Sequence, residues 1–237
     1  NDGWLDLVVT NFQRQLNALY HNDGNAGFTD VSFIVGFGYS LPYVSWGTGF
    51  FDFNNDGWRD VFIANGHIQD EIERYDKSTT YFQPNQLLLN NRQGRFIDVS
   101  ATAGSGLQIR KASRGVAFGD YDNDGDIDIL ISNANDTPDL LRNDTPNTGH
   151  WILIQTIGTK SNRDGIGARI QVRTGNPSLH SEQALTQIAE VRSGSSYMSQ
   201  NDKRVHFGLG TAEVIERLEI RWPSGVVDVM ENVPVDR

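Results

Sequence analysis

Shifting the sequence against itself by 68 residues aligns residues 17–65 with 85–133 without a gap, and 19 of the 49 pairs are identical. Phe28-x-Asp30-Val31-Ser32 repeats as Phe96-x-Asp98-Val99-Ser100, and Asn55-Asp56-Gly57-x-x-Asp60 as Asn123-Asp124-Gly125-x-x-Asp128. A partial earlier copy, Asn1-Asp2-Gly3-Trp4-Leu5-Asp6, matches Asn55 onward at a shift of 54, so a 14-residue insertion separates the first two copies between Asn65 and Asn85. Such a period restricts the chain to one supersecondary unit stacked side by side, because a single unit cannot bury its own apolar face.

Each unit reads as strands. Gly47–Phe51, Val61–Ala64, Gln86–Leu89 and Phe96–Val99 are short apolar or aromatic runs separated by Asn, Asp and Gly turns,. Four short strands per unit and no helical period predict β-propeller blades rather than a helical solenoid. Residues 1–145 then hold two near-complete blades and a partial one, an incomplete ring against the roughly four to eight blades of a propeller. The opening Asn1-Asp2-Gly3 has neither a start Met nor a leader, and reads as a processed piece or fragment,. The 66–84 insertion reads as a surface excursion or a ligand-contacting loop.

The turn between the first two strands of each unit carries the chemistry. The chain has 30 acids against 20 Lys and Arg, and the whole excess lies in residues 1–149, where 20 acids face 10 bases. Half of those acids fall in three clusters: Asp2 and Asp6; Asp52, Asp56 and Asp60; Asp120, Asp122, Asp124, Asp126 and Asp128. Asp52-x-Asn54-x-Asp56-Gly57-x-x-Asp60 and Asp120-x-Asp122-x-Asp124-Gly125-x-x-Asp128 place side-chain oxygens at loop positions 1, 3, 5 and 9. Calcium takes about six to eight hard oxygen ligands, and alternate acids on a curled loop converge while Gly at position 6 permits the bend. The backbone carbonyls of Trp58 and Asp126, at position 7, complete each set. In the first copy only Asp2 and Asp6 of the ligand positions are present. Carboxylates gathered without a cation repel one another. An EF-hand would need Glu at position 12, where Ile63 and Ile131 stand within strands. Magnesium suits so flexible a cage less well, and a lone Asn-Asp-Gly would read as a hairpin turn; repetition in register favours calcium.

Composition removes other classes. There is no cysteine, which excludes disulfides, thiolate zinc sites and thiol catalysis,. Hydrophobic residues make up 38% without any run near the roughly 18 that a membrane span needs, so no membrane span is expected,. Nucleic acid is not an expected partner, because phosphate binding needs a basic face. Residues 150–237 hold 10 acids and 10 bases, a composition shift that places a second domain there,. Strand-length runs at Trp151–Ile157, Ala168–Val172, Thr186–Arg192, Arg204–Phe207, Val214–Trp222 and Val226–Val229 predict a small antiparallel β-sandwich. Its polar candidates, Arg163, Asp164, Asp202, Arg204 and His206, show no acid–base spacing and no nucleophile elbow. The five tryptophans read as packing residues.

Phe118-Gly119-Asp120-Tyr121-Asp122-Asn123-Asp124-Gly125-Asp126-Ile127-Asp128 resembles the calcium loop of FG-GAP/VCBS repeats of the integrin-α type. Asp52-Phe53-Asn54-Asn55-Asp56-Gly57 departs by Phe51 in place of Gly and Asn54 in place of an acid. Ser161 to Arg169, Gly194 to Gln200, His206-Phe207-Gly208-Leu209-Gly210 and Trp222-Pro223-Ser224-Gly225 resemble the ASPIC/UnbV domain over nearly all of 150–237. The whole chain is similar to the cartilage-acidic-protein family as it occurs in secreted bacterial proteins. The resemblance implies structural calcium, an extracellular or cell-surface location with a periplasmic one also open, and a protein or carbohydrate ligand. Two function classes follow: a non-catalytic, calcium-stabilised adhesion or recognition module, or the propeller scaffold of a secreted, lyase-like polysaccharide enzyme.

Overall fold

The computed structural model of the chain describes residues 3–146, 149–175 and 185–237. Every sheet in it is antiparallel, and the helical segments among the described residues are three short 3-10 turns. The first sheet orders β1 (Leu7–Val9), β2 (Ala18–Asn22) and β3 (Phe28–Asp30). Next come β4 (Ser45–Phe51), β5 (Asp60–Asn65), the two-residue β6 (Gln83–Pro84), β7 (Gln86–Asn90) and β8 (Phe96–Asp98), with β4-β5-β7-β8 forming a four-stranded sheet. β9 (Arg110–Lys111) pairs with β6, and β10 (Ser113–Gly119), β11 (Asp128–Asn133) and β12 (Asp139–Leu141) make the third sheet. Four strands per unit therefore hold in the middle sheet, whereas its neighbours have three each. The third sheet stops at β12 because the next strand, β13 (His150–Ile154), pairs with β16 (Val205–Gly210) instead. The three sheets do not close a ring among the described residues.

The sheets stack through strands buried on both faces. β5 is buried from Asp60 to Asn65, which is why Val61-Phe62-Ile63-Ala64 reads as an unbroken apolar run,. Period-two alternation sends Val61, Ile63 and Leu88 to a core shared with Leu19, Phe37 and Phe96,. Phe62, Ala64 and Leu87 face the other way, against Val116, Phe118, Ile127, Ile129 and Ile131. Phe118 stacks on Phe51 at 4.9 Å and meets Phe62 edge-on at 6.4 Å.

Identities between the repeats coincide with hydrogen bonds. Asp30 and Asp98 each accept from the backbone N–H two residues on, at Ser32 and Ser100. Those two serine hydroxyls in turn accept from Leu19 N–H and Leu87 N–H, tying the chain just after β3 to β2 and the chain just after β8 to β7. Ser45 donates to Asn65 and Ser113 to Asn133, again at matching positions. Both inner strands carry a register shift at the same place, between Ser45 and Thr48 and between Ser113 and Val116. The glycine in each shift is a point of close approach, to the β10 backbone at Gly47 and to Ser199 and Tyr197 at Gly115,.

The insertion runs over the surface through a 3-10 turn, Ile72–Arg74, and returns in β6. It is pinned at its start, where Arg114 donates to the carbonyls of Gly66 and His67. In the C-terminal part, β14 (Arg169–Thr174), β15 (Leu185–Glu190), β17 (Val214–Arg221) and β18 (Val227–Pro234) order as β15-β14-β17-β18. Ile152, Ile154, Val205, Phe207 and Leu209 of the β13–β16 pair share one core with Ile170, Val172, Ile215, Leu218 and Ile220 of that sheet, as a sandwich requires,.

Phe62 is fully buried between two sheets. Phe62→Ala is expected to cost about 3–5 kcal/mol, against under about 1 kcal/mol for Ile97→Ala, whose side chain is half exposed, in urea unfolding with calcium present,. Equal losses would show that the sheets do not stack through this core.

Candidate metal centre

The two complete acidic turns have one backbone design. Asn55 and Asn123, at position 4, take φ of 56° and 61°, and Gly57 and Gly125, at position 6, take 87° and 93°. This left-handed region is favoured by Gly and Asn, and here it coils the loop inward. The position-1 carboxylate closes the coil: Asp52 accepts from Asp56 N–H and Gly57 N–H at 3.1 and 2.8 Å, Asp120 from Asp124 N–H and Gly125 N–H at 3.2 and 3.0 Å. The position-9 carboxylate ties the loop to the ends of β2 and β7 and to the chain just past β12. Asp6, Asp60 and Asp128 accept from the N–H of Asn22, Asn90 and Asn143 at 2.9, 2.8 and 2.8 Å, in register across all three repeats.

Convergence differs between the loops. Asp120, Asp122 and Asp124 bring carboxylate oxygens within 4.8 Å of one another, with Asp120 buried and the other two exposed. Asp128 is also buried, and burial pushes both its pKa and that of Asp120 up from the ordinary carboxylate range. In the other loop Asp52 is raised to about 6 and Asp60 to about 7, chiefly by burial, with Asp56 adding like charge to both. Asn54, at position 3, holds its Oδ1 buried without a hydrogen-bond partner. Asp56 meets Arg92 at 2.9 Å and accepts from Trp58 N–H at 2.8 Å. A hard cation fits this donor set. It needs oxygen ligands only, it offers the orphaned Asn54 oxygen a partner, and it offsets the cost of buried carboxylates. Trp58 and Asp126 stand at position 7; the Asp126 carboxylate accepts from Asn55 Nδ2 at 2.8 Å. Asp2 lies outside the described residues, and Asp6 also meets His21 at 3.1 Å.

Sequence reasoning missed the groups that hold the loops from outside. The sandwich docks on them: Arg204 donates to the Asp120 carbonyl and to Asn123 Oδ1, both at 2.7 Å, and pairs with Asp202 at 2.6 Å. His206 Nε2–H donates to the Gly125 carbonyl at 3.1 Å; burial drives its pKa down to about 3, so the imidazole is neutral. Arg59 lies over the Phe207 ring at 5.5 Å and donates to the His206 carbonyl. The Trp151 indole covers Gly125 so closely that a Cβ there would collide with it. Of the other polar candidates, Asp164 pairs with Lys203, and residues 162–165 form a turn closed by Gly165 N–H to Asn162 O. Ser196 Oγ accepts from Thr48 N–H and Tyr197 tilts against Trp46, so the 195–202 segment lines a cavity of about 810 Å³ beside the inner strands.

Antiparallel units of three or four strands, each with an acidic coil at the same place, followed by a sandwich, define a propeller-type repeat protein with an appended β-domain. Residues 1–63 and 52–131 match the FG-GAP-like repeat, and residues 158–237 match ASPIC and UnbV. The chain belongs to the FG-GAP-like repeat family and carries an ASPIC and UnbV domain. It is similar to cartilage acidic protein 1 of Homo sapiens, 23% identical over 237 residues that cover 98% of this chain and 32% of that protein. The Mus musculus counterpart is 22% identical over 256 residues, covering 88% and 38%. The chain thus spans about a third of the length of the curated relatives it matches. No helix among the described residues is long and apolar enough to cross a membrane.

The raised carboxylates set a pH dependence for the chelated protein. Asp52 and Asp60 hold protons in the folded state, to about pH 6 and about pH 7, that an unfolded chain releases near pH 4,. Their contribution is complete below about pH 4 and is lost as pH rises through 6 to 7. In EDTA the urea midpoint is expected to fall between pH 5 and pH 8, and Asp60→Asn to flatten that fall. A variant with the wild-type slope would refute the assignment.

Proposed function

We propose that this chain is a non-catalytic, calcium-stabilised recognition module of the extracellular or cell-surface space, the periplasm included, with residues 1–145 as the propeller part and 150–237 as a second binding domain. The reading is carried by the convergence of Asp120, Asp122 and Asp124. The buried, unpartnered Asn54 oxygen at the matching place of the neighbouring loop supports it. Asp120, Asp122, Asp124 and Asp128 with the Asp126 carbonyl would hold one ion, and Asp52, Asn54, Asp56 and Asp60 with the Trp58 carbonyl a second; Asp2 and Asp6 belong to a third loop. Calcium would supply charge neutralisation. The chain's own residues supply shape: the position-1 and position-9 carboxylates are already oriented by backbone N–H groups, so little ordering remains on binding. The ligand is proposed to be a protein or a carbohydrate, met on a scaffold that the ion makes rigid.

A lyase scaffold would need a base and a cation free to converge on a substrate. His206 is neutral and engaged by Gly125, and Arg59 is engaged by the His206 carbonyl. New unsaturated ends from a uronate polymer incubated with the protein would reverse the preference.

Calorimetric titration with calcium is expected to show two sites, with Asp124→Ala and Asp56→Ala each deleting one. Loops of this kind bind at about 0.1–1 mM when weak, so saturation at 100 times Kd adds about 2.7 kcal/mol per site, roughly 5–10 °C in melting temperature. A melting temperature unmoved by chelation would overturn the proposal.

A further inference from the structure

The bonds between the sandwich and the acidic loops fall at specific places. Arg204 spans the 120–128 loop from position 1 to position 4, with Nη2 on the Asp120 carbonyl and Nη1 on Asn123 Oδ1, while its Nε donates to Asp202 at 2.6 Å. Asp202 is itself anchored, its N–H donating to the Phe118 carbonyl at 2.9 Å. Position 6 is held twice, since the Gly125 carbonyl accepts from His206 Nε2 and from Asn55 Nδ2. Asn55 belongs to the neighbouring loop, and its own carbonyl accepts from Gly210 N–H of the sandwich at 2.8 Å. These partners grip backbone carbonyls and the position-4 side chain, whereas the carboxylates of positions 1, 3 and 5 face one another. The gripped residues include the two asparagines at positive φ, where a coil without external partners would relax,.

We propose that Arg204 is a positioning residue for the 120–128 loop, and that cation occupancy of this loop and docking of the sandwich are one coupled equilibrium. The inference rests on the reading of that loop as a calcium site. A rigid guanidinium fork can staple Asp120 to Asn123, while an ammonium of similar reach cannot satisfy both acceptors in fixed geometry. Coupling is reciprocal: whatever factor docking adds to calcium affinity, calcium adds to docking. The sign separates this role from simple electrostatics. A positive charge beside a cation site opposes binding, so if charge alone acted, removing Arg204 would tighten calcium. Loss of positioning weakens it.

The test uses the full chain, with calcium ion as the probe, in calorimetry and in amide hydrogen exchange. Arg204→Ala is expected to weaken one of the two sites by about 5–150-fold, the range of ordinary coupling, and to leave the other near wild type. Arg204→Lys is expected to follow Arg204→Ala, and Lys203→Ala, whose partner is Asp164, to bind as wild type. In the wild type, chelation is expected to raise exchange at the Asp202 and Gly210 amides. Should Arg204→Ala fail to fold, Asn123→Gly removes one acceptor yet keeps the positive φ, and a weakened site is expected again. Calcium affinity equal to or above wild type in these variants, or exchange indifferent to calcium, overturns the coupling while leaving the metal reading intact. A wild-type chain that binds no calcium overturns both.

Discussion

Crowded negative charge in the 120–128 turn is the constraint on which the rest depends. Asp120, Asp122, Asp124, Asp126 and Asp128 occupy nine residues, and β10 and β11 pair right up to Gly119 and Asp128, so the turn cannot open to relieve repulsion without breaking the strand register,. The chain meets this by dividing the carboxylates. Asp120 and Asp128 are buried and each accepts backbone N–H groups, Asp126 is drawn off by Asn55, and Asp122 and Asp124 stay in solvent. What remains is a pocket of oxygens with a charge that a hard divalent ion would balance,. The 52–60 loop solves the same problem with fewer charges, replacing one carboxylate by Asn54 and setting Arg92 against Asp56.

The same turns are where the two halves of the chain meet. Arg204, His206 and Gly210 reach backbone of the loops, and Phe207 carries Arg59 on its face. The segment ahead of β16 continues inward: Ser196 and Asn201 accept from the N–H groups of Thr48 and Phe118, which sit on the inner strands β4 and β10 where no further strand pairs among the described residues. Edge groups that would otherwise invite another strand are thus occupied by side chains of the second domain. Loop shape, inner-strand edges and sandwich placement form one connected set of bonds, so a change at any of them is felt at the others.

Much of this was legible beforehand. The strand positions followed from apolar runs between Asn, Asp and Gly, and the six strands of the sandwich lie close to where alternation placed them. Sequence identity between the repeats marked residues with repeat-specific bonds, among them Asp30 and Asp98, Ser45 and Ser113, and the position-9 aspartates. One thing was not legible. The bonds that the side chains of Asn55, Asn123, Arg204 and His206 make across the loops leave no mark in the sequence, because those loop partners are 70 to 84 residues apart.

The sequence by itself determined the repeat, the acidic coils and the class of each half. Those depend on period-two alternation, on left-handed turns that Asn and Gly allow, and on alternate oxygens in one short loop, all of them local. Only the tertiary structure decided that the middle unit alone, among the described residues, completes four strands, and that the sandwich grips the coils largely through carbonyls. Backbone carbonyls carry no residue code, so a contact made to them leaves no trace in the sequence of the partner it holds.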